Sequence, residues 1–171
     1  AATFGAKGVI VHGGSVGEGG DIGQGYENWG KAIKEVEDIG VKVLVENTAG
    51  GKNSVARYMD SIERLWEVIG HLNVGLCLDT CHTWAGGIPT IEAVKGFKKL
   101  VKKIDLIHFN DSKDGFESSR DRHENLGKGQ IPKEELEYVI KNAKTDIIVE
   151  TPNGPDAQKK DIAWIKRRLK K

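Results

Sequence analysis

The stretch Val74–His82, VGLCLDTCH, carries most of the information about how this chain folds. Its first five residues are near-continuously apolar, the pattern of a strand covered on both faces. The run stops at Asp79, and a Thr-Cys-His turn follows at once. A carboxylate and an imidazole thus share one tight connection. Four other runs have the same form: Gly8–His12, Lys42–Glu46, Asp105–His108 and Asp146–Glu150. Between them, Tyr26–Ile39, Ser54–Ile69, Thr90–Val101 and Lys133–Lys141 carry apolar residues at helical spacing, for instance Ile62, Leu65, Trp66 and Ile69, and Ala157–Leu169 closes the series. Gly40 and Gly70 fall at helix ends and Pro132 at a helix start. Strand then helix, five times over, predicts an α/β architecture built on a parallel sheet.

The five runs end in His12, Glu46, Asp79, His108 and Glu150. In parallel α/β folds the carboxyl ends of the strands face the active site, and in a barrel they converge on one mouth. Solvated strand termini would include Lys, Ser and Asn as well, and none of the five ends on one. Two pairs lie just beyond: Asp79 with His82, and Asp121-Arg-His123, whose first and third side chains face the same way in an extended segment. Of the five histidines only His71 lacks such a setting and reads as a surface residue. Eight donors (His12, Glu46, Asp79, His82, His108, Asp121, His123 and Glu150) are too many for one ion. Imidazole nitrogen and carboxylate oxygen without thiolate suit Zn²⁺, or alternatively Mn²⁺, in a hydrolytic cluster.

The 171 residues, 38% hydrophobic and 30% charged, fit one globular domain spanning 1–171. Twenty-six basic against 25 acidic residues leave a net charge of +1, so any phosphate-binding surface must be local. The candidates sit in the loop Asn110–Gln130: Asn110, Ser112, Lys113, Arg120 and Arg122, which at a barrel mouth would hold the phosphates of a duplex without reading its sequence. The basic runs Lys95–Lys103 and Ile165–Lys171 fall on helices and read as solvated outer faces. Gly13–Gly25 has neither G-x-G-x-x-G nor a Walker lysine; it reads as a mouth loop whose first glycines leave room beside His12. Trp29, Trp66 and Trp164 read as core, and Trp84 as core or as a wall of the mouth. No apolar run is long enough to span a bilayer, and AATFGAKGVIVHGG has no signal-peptide form. Cys77 and Cys81 read as small buried residues of a protein in a reducing cytoplasm.

The stretches Val9–Ser15 (VIVHGGS), Val45–Gly50 (VENTAG), Leu78–His82 (LDTCH), His108–Asp111 (HFND), Arg120–His123 (RDRH) and Leu126–Ile131 (LGKGQI), with Glu150-Thr151, together resemble the endonuclease IV family of apurinic/apyrimidinic endonucleases. The resemblance implies a TIM (β/α)8 barrel, here an incomplete one of about five βα units. It implies up to three zinc ions, and zinc-activated hydroxide that hydrolyses double-stranded DNA on the 5′ side of abasic sites. It assigns His12 to the first zinc and Glu46 to a bridge between the first and second. Asp79, His108 and Glu150 complete the second, and His82, Asp121 and His123 the third. Glu46 and Glu150 become the catalytic carboxylates, Glu150 orienting the attacking water. A full barrel has about 250 residues and eight units. The first three strands of the family pattern are missing, and with them a histidine of the first zinc. Two zinc sites are therefore expected to form, with reduced activity. Two open sheet edges should expose apolar surface and promote self-association. A metal-dependent sugar isomerase or epimerase barrel is the competing reading, weakened by the His82, Asp121 and His123 trio; a non-catalytic metal-binding barrel fragment is the other.

Overall fold

A computed structural model describes residues 1–170. After a short 3₁₀ turn at Ala2–Phe4, the elements run β1 (Gly8–His12), α1 (Ile22–Glu35), β2 (Lys42–Glu46), α2 (Met59–Ile69), β3 (Val74–Asp79), α3 (Thr80–Gly86), α4 (Thr90–Leu100), β4 (Leu106–His108), β5 (Asp111–Ser112), β6 (His123–Glu124), α5 (Lys133–Ala143), β7 (Asp146–Ile148) and α6 (Gly154–Leu169). β1, β2, β3, β4 and β7 form one parallel sheet in that order. β5 and β6 make a separate two-stranded antiparallel ribbon, with Ser112 opposite His123. The expected α/β order is therefore present, with the sheet open rather than closed.

Register places the functional residues at one level. His12 stands opposite Glu46 and Asp79 opposite His108, so the carboxyl ends of neighbouring strands align. Helices cover the sheet through one apolar core that includes Val45, Leu76, Leu78 and Ile107 from the strands and Leu65, Phe97 and Leu136 from the helices. The two outer strands are each paired on one side only. Val11 on β1 is 40% exposed and Ile148 on β7 is 45% exposed. Beside β1, a groove of about 570 Å³ is lined largely by apolar side chains, among them Val9, Val11, Ala32, Ile33, Val36 and Ile39. Among the described residues no helix is long and apolar enough to cross a membrane.

Several boundaries differ from the sequence reading: α1 ends at Glu35 rather than Ile39, short of Gly40, and α6 begins at Gly154 rather than Ala157. α1 begins at Ile22 rather than Tyr26 because Asp21 caps it, its carboxylate accepting from the Gly23 N–H at 2.9 Å. α2 begins at Met59 rather than Ser54 because the backbone of 54–56 is used elsewhere. Val55 N–H donates to Gly14, and the Ala56 carbonyl accepts from Thr48. The last strand ends at Ile148, two residues short of Glu150. The short helix α3 and the β5–β6 ribbon have no counterpart in the sequence reading. α3 follows β3 without a spacer, capped by Asp79, whose Oδ1 accepts from the His82 N–H at 2.8 Å. Trp29, Trp66 and Trp164 pack against the core as expected. Gly13 makes room for Ala56 rather than for His12: a Cβ at Gly13 would lie 2.2 Å from that of Ala56. Of the basic tail Ile165–Lys171, Lys171 lies outside the described residues.

Candidate metal centre

Each donor reaches the mouth by a different route. β1, β2, β3 and β4 deliver His12, Glu46, Asp79 and His108 directly at their ends. His82 comes from the first turn of α3, held by the Asp79 cap. His123 rides on the β5–β6 ribbon, and Asp121 precedes it by two residues. Glu150, outside the ladder, is anchored by Asn110, whose Oδ1 accepts its N–H at 2.8 Å.

All eight donors converge. Glu46, Asp79, His108 and Glu150 each offer an atom within 4.8 Å of the others, and so do Asp79, His82 and His123, and His12, Glu46 and His82. Glu46 is the hub: Oε2 lies 3.1 Å from His12 Nε2, and Oε1 lies 2.8 Å from His108 Nδ1 and 3.6 Å from His82 Nδ1. His108 Nδ1 is also 3.2 Å from Glu150 Oε2. On the far side, Asp121 Oδ1 is 3.0 Å from His82 Nε2 and 3.3 Å from His123 Nε2. Both contacts are close enough for strong attraction. Even so, the two Nε2 atoms are buried without a well-formed hydrogen bond. Buried ring nitrogens left over among carboxylates are what a cation site requires, so the donor set fits divalent metal.

The electrostatics agree. Burial alone would suppress a charge on His82, but Asp79, Asp121 and Glu46 outweigh it and raise its pKa to about 10. His108 and His123 are also raised despite burial, the first chiefly by Glu46 and the second by Asp121 and Asp79. His123 and His82 hold the Asp121 carboxyl well below the usual range. Four carboxylates at this density thus favour the protonated form of all three imidazoles when only protons are available. Cys77 and Cys81 lie close by, yet burial and neighbouring carboxylates push both thiols up, Cys81 to about 12. Without metal both thiols stay protonated, although each stands within reach of other donors, Cys77 beside Glu46 and His108 and Cys81 beside Asp121 and His123.

An inner layer of amides and hydroxyls fixes the donors. Asn47 donates to the Asp79 carbonyl and accepts from the Asp79 N–H, while its own carbonyl lies 2.9 Å from His82 Nδ1. Asn110 donates to Asp79 Oδ2 at 2.7 Å. Two buried carboxylates act as loop anchors. Asp111 accepts four backbone N–H groups, from Ser112, Gly127, Gly129 and Ile131. Asp161 accepts from Asn125, Leu126 and Thr151.

The phosphate-contact candidates divide in two. Asn110 and Ser112 are fully buried, and Ser112 Oγ donates to the Asp114 carbonyl. Neither is available to a duplex; the HFNDS segment turns inward to support the metal donors. Lys113, Arg120 and Arg122 are exposed. Arg122 is clamped on Asp114 with Nε 2.7 Å from Oδ2, and Arg120 Nη1 is 3.7 Å from the same carboxylate. Trp84 is half-buried and stacks edge-on against Phe116 at 5.0 Å, so it braces the loop rather than covering the metal donors.

Parallel strands, four of which end on metal donors while Glu150 lies two residues past the fifth, define a barrel-type metal centre of the α/β class. The chain belongs to the xylose isomerase-like TIM barrel family, whose model matches residues 1–168. It is 46% identical over 169 residues to a probable endonuclease 4 of Mycobacterium ulcerans (strain Agy99), covering 99% of this chain. It is 48% identical over 168 residues to a probable endonuclease 4 of Mycobacterium tuberculosis (strain CDC 1551 / Oshkosh), covering 98% of this chain. It spans 66% of the length of both relatives. Among solved structures it is similar to endonuclease IV from Thermus thermophilus, with TM-score 0.77 and 30% identity, covering 99% of this chain and 64% of that one. A D-tagatose 3-epimerase-like protein shares the fold, with TM-score 0.72 and 19% identity, over 97% of this chain and 63% of that one. The resemblance read from the sequence agrees with these relatives.

Proposed function

We propose that this chain carries the greater part of the active centre of a zinc-dependent DNA-repair endonuclease. Its reaction would be hydrolysis of the phosphodiester 5′ of abasic sites in duplex DNA. The observation that carries the reading is the convergence of four imidazoles and four carboxylates, Glu46 among them, set beside relatives bearing the endonuclease 4 name. Asp79, His108 and Glu150, with Glu46, would hold one ion, and His82, Asp121 and His123 a second. His12 and Glu46 alone make a weaker third site. Zinc suits this donor set, with manganese as the alternative. When bound, such ions would supply positive charge against a phosphate and lower the pKa of nearby water.

The chain's own residues do the rest. Glu46 spans the cluster and keeps its donors in register. Glu150 is the most exposed of the four donors Glu46, Asp79, His108 and Glu150, its side chain 43% accessible. It is therefore placed to accept a proton from an attacking water. Lys113, Arg120 and Arg122 would face the phosphates beside the lesion. Two free buried cysteines suit a reducing cytoplasm, where we place the protein.

The test is incision of a duplex carrying one abasic site, with and without added zinc, together with metal content by elemental analysis. We expect two zinc ions per chain and slow, chelator-sensitive incision; an intact duplex should be left alone. A chain that binds no metal and never incises would overturn the reading. Only more than two ions would also argue against the sugar isomerase or epimerase alternative, which the shared fold with an epimerase-like protein keeps in view; at two ions, incision separates the readings.

A further inference from the structure

Beside the metal donors lies a small pocket of about 250 Å³ whose walls include His12, Thr48, Gly50, His82, Ser119 and Asp121. Behind Ser119 stands Arg57, a residue no motif singled out. Its side chain belongs to the interior, only 8% of the residue being exposed. Among the described residues no carboxylate lies within 4.0 Å of its guanidinium, whereas Arg120, Arg122 and Arg168 each have such a partner. Instead Nε donates to the Gly86 carbonyl at 3.1 Å, Nη2 donates to Ser119 Oγ at 2.7 Å, and the guanidinium lies over the Tyr58 ring at 4.6 Å. A buried cation without a counter-ion is costly unless an anion completes it.

The Ser119 hydroxyl shows where that anion would sit. Its oxygen accepts from Arg57, so its own proton is free to point elsewhere, and the residue is exposed in the wall of the pocket. The loop is fixed rather than adjustable. Ser119 N–H donates to the Ala85 carbonyl at 2.9 Å, and Glu117 N–H to that of Trp84 at 3.0 Å. Ser119 itself is held at φ 60°, a conformation that costs a non-glycine residue free energy. Gly50 admits the loop, since a Cβ there would lie 2.4 Å from the Ser119 carbonyl oxygen. The one carboxylate in the pocket, Asp121, is turned to His82 and His123.

We infer that Arg57 and Ser119 form a phosphodiester-binding relay beside the metal donors, the buried guanidinium polarising a hydroxyl that donates to a non-bridging phosphate oxygen. This rests on the proposed function for its biological ligand, but the site can be read without DNA. The probe is dimethyl phosphate, the smallest phosphodiester, titrated into the zinc-loaded chain while the Arg57 Nε–H and Ser119 amide signals are followed by NMR. We expect saturable shifts of both. Ser119→Gly removes the hydroxyl and relieves the positive φ, so it keeps the fold, and it should weaken binding roughly tenfold, the loss of one hydrogen bond to a charged oxygen. Arg57→Gln should weaken it at least as much, and adding Ser119→Gly to it should change little further, because the two act in series. The relay is refuted if folded Ser119→Gly binds dimethyl phosphate as tightly as the parent, or if the Arg57 signal stays fixed at saturation. Failure of the DNA reading looks different: retained phosphodiester binding with no incision counts against the nuclease and leaves the relay standing.

Discussion

Loading the centre with zinc at pH 7.5 must expel protons, and their number follows from the geometry. Asp79, Asp121 and Glu46 overcome burial and raise the His82 pKa from 6.5 to about 10, while Glu46 raises His108 and Asp121 raises His123. An imidazole that binds metal is neutral, so each of the three surrenders any proton it holds. The expected release is at least about one proton, from His82, and up to about three per loaded chain. Calorimetric titration of the metal-free chain in two buffers of different ionisation enthalpy measures the release directly. The same groups set the stability of the metal-free chain. A pKa higher in the folded than in the unfolded state stabilises fully below pH 6.5, and that contribution disappears as pH rises through the folded value. For His82 the window runs from 6.5 to about 10 and is worth on the order of 5 kcal/mol. The metal-free melting temperature should therefore fall as the pH rises from 7 to 9, while zinc stabilises more strongly over the same range. A binding enthalpy independent of buffer at pH 7.5, or a metal-free melting temperature that climbs from pH 7 to 9, would refute the account.

Three further outcomes follow from particular contacts. Asn110→Ala removes the donor to Asp79 Oδ2 and the acceptor for the Glu150 N–H; it should cost about 3 kcal/mol in urea unfolding and reduce the zinc bound per chain, whereas a pure phosphate contact would leave both unchanged. Asp111→Ala leaves four backbone N–H groups without their acceptor and should cost about 3–5 kcal/mol, read by the same unfolding curves. We propose that the open edges associate with a second copy; sedimentation should show a concentration-dependent dimer that Ile148→Lys, on the exposed edge strand, shifts toward monomer. A chain that sediments as a monomer at every concentration would count against that proposal.

Local pattern was enough to locate the strands and the chemistry of their ends. Lys42–Glu46 and Val74–Asp79 were legible to the residue because a strand covered on both faces needs an unbroken apolar run, and the run stops where a charged side chain reaches the mouth. The cap that starts α3 was also legible in principle, since Asp79 stands just before a turn that its carboxylate closes, but seven residues are too few to show helical spacing. Which donors stand side by side, by contrast, was decided by packing, because the parallel register sets His12 against Glu46 and Asp79 against His108 across chain separations that no local pattern encodes. Packing also turned Asn110 and Ser112 inward and set Arg57 behind Ser119. The roles of Asn110 and Arg57 depend on hydrogen-bond partners from 29 to 62 residues away in sequence, Asp79 for Asn110 and both Gly86 and Ser119 for Arg57, brought near only when the sheet and its covering helices pack.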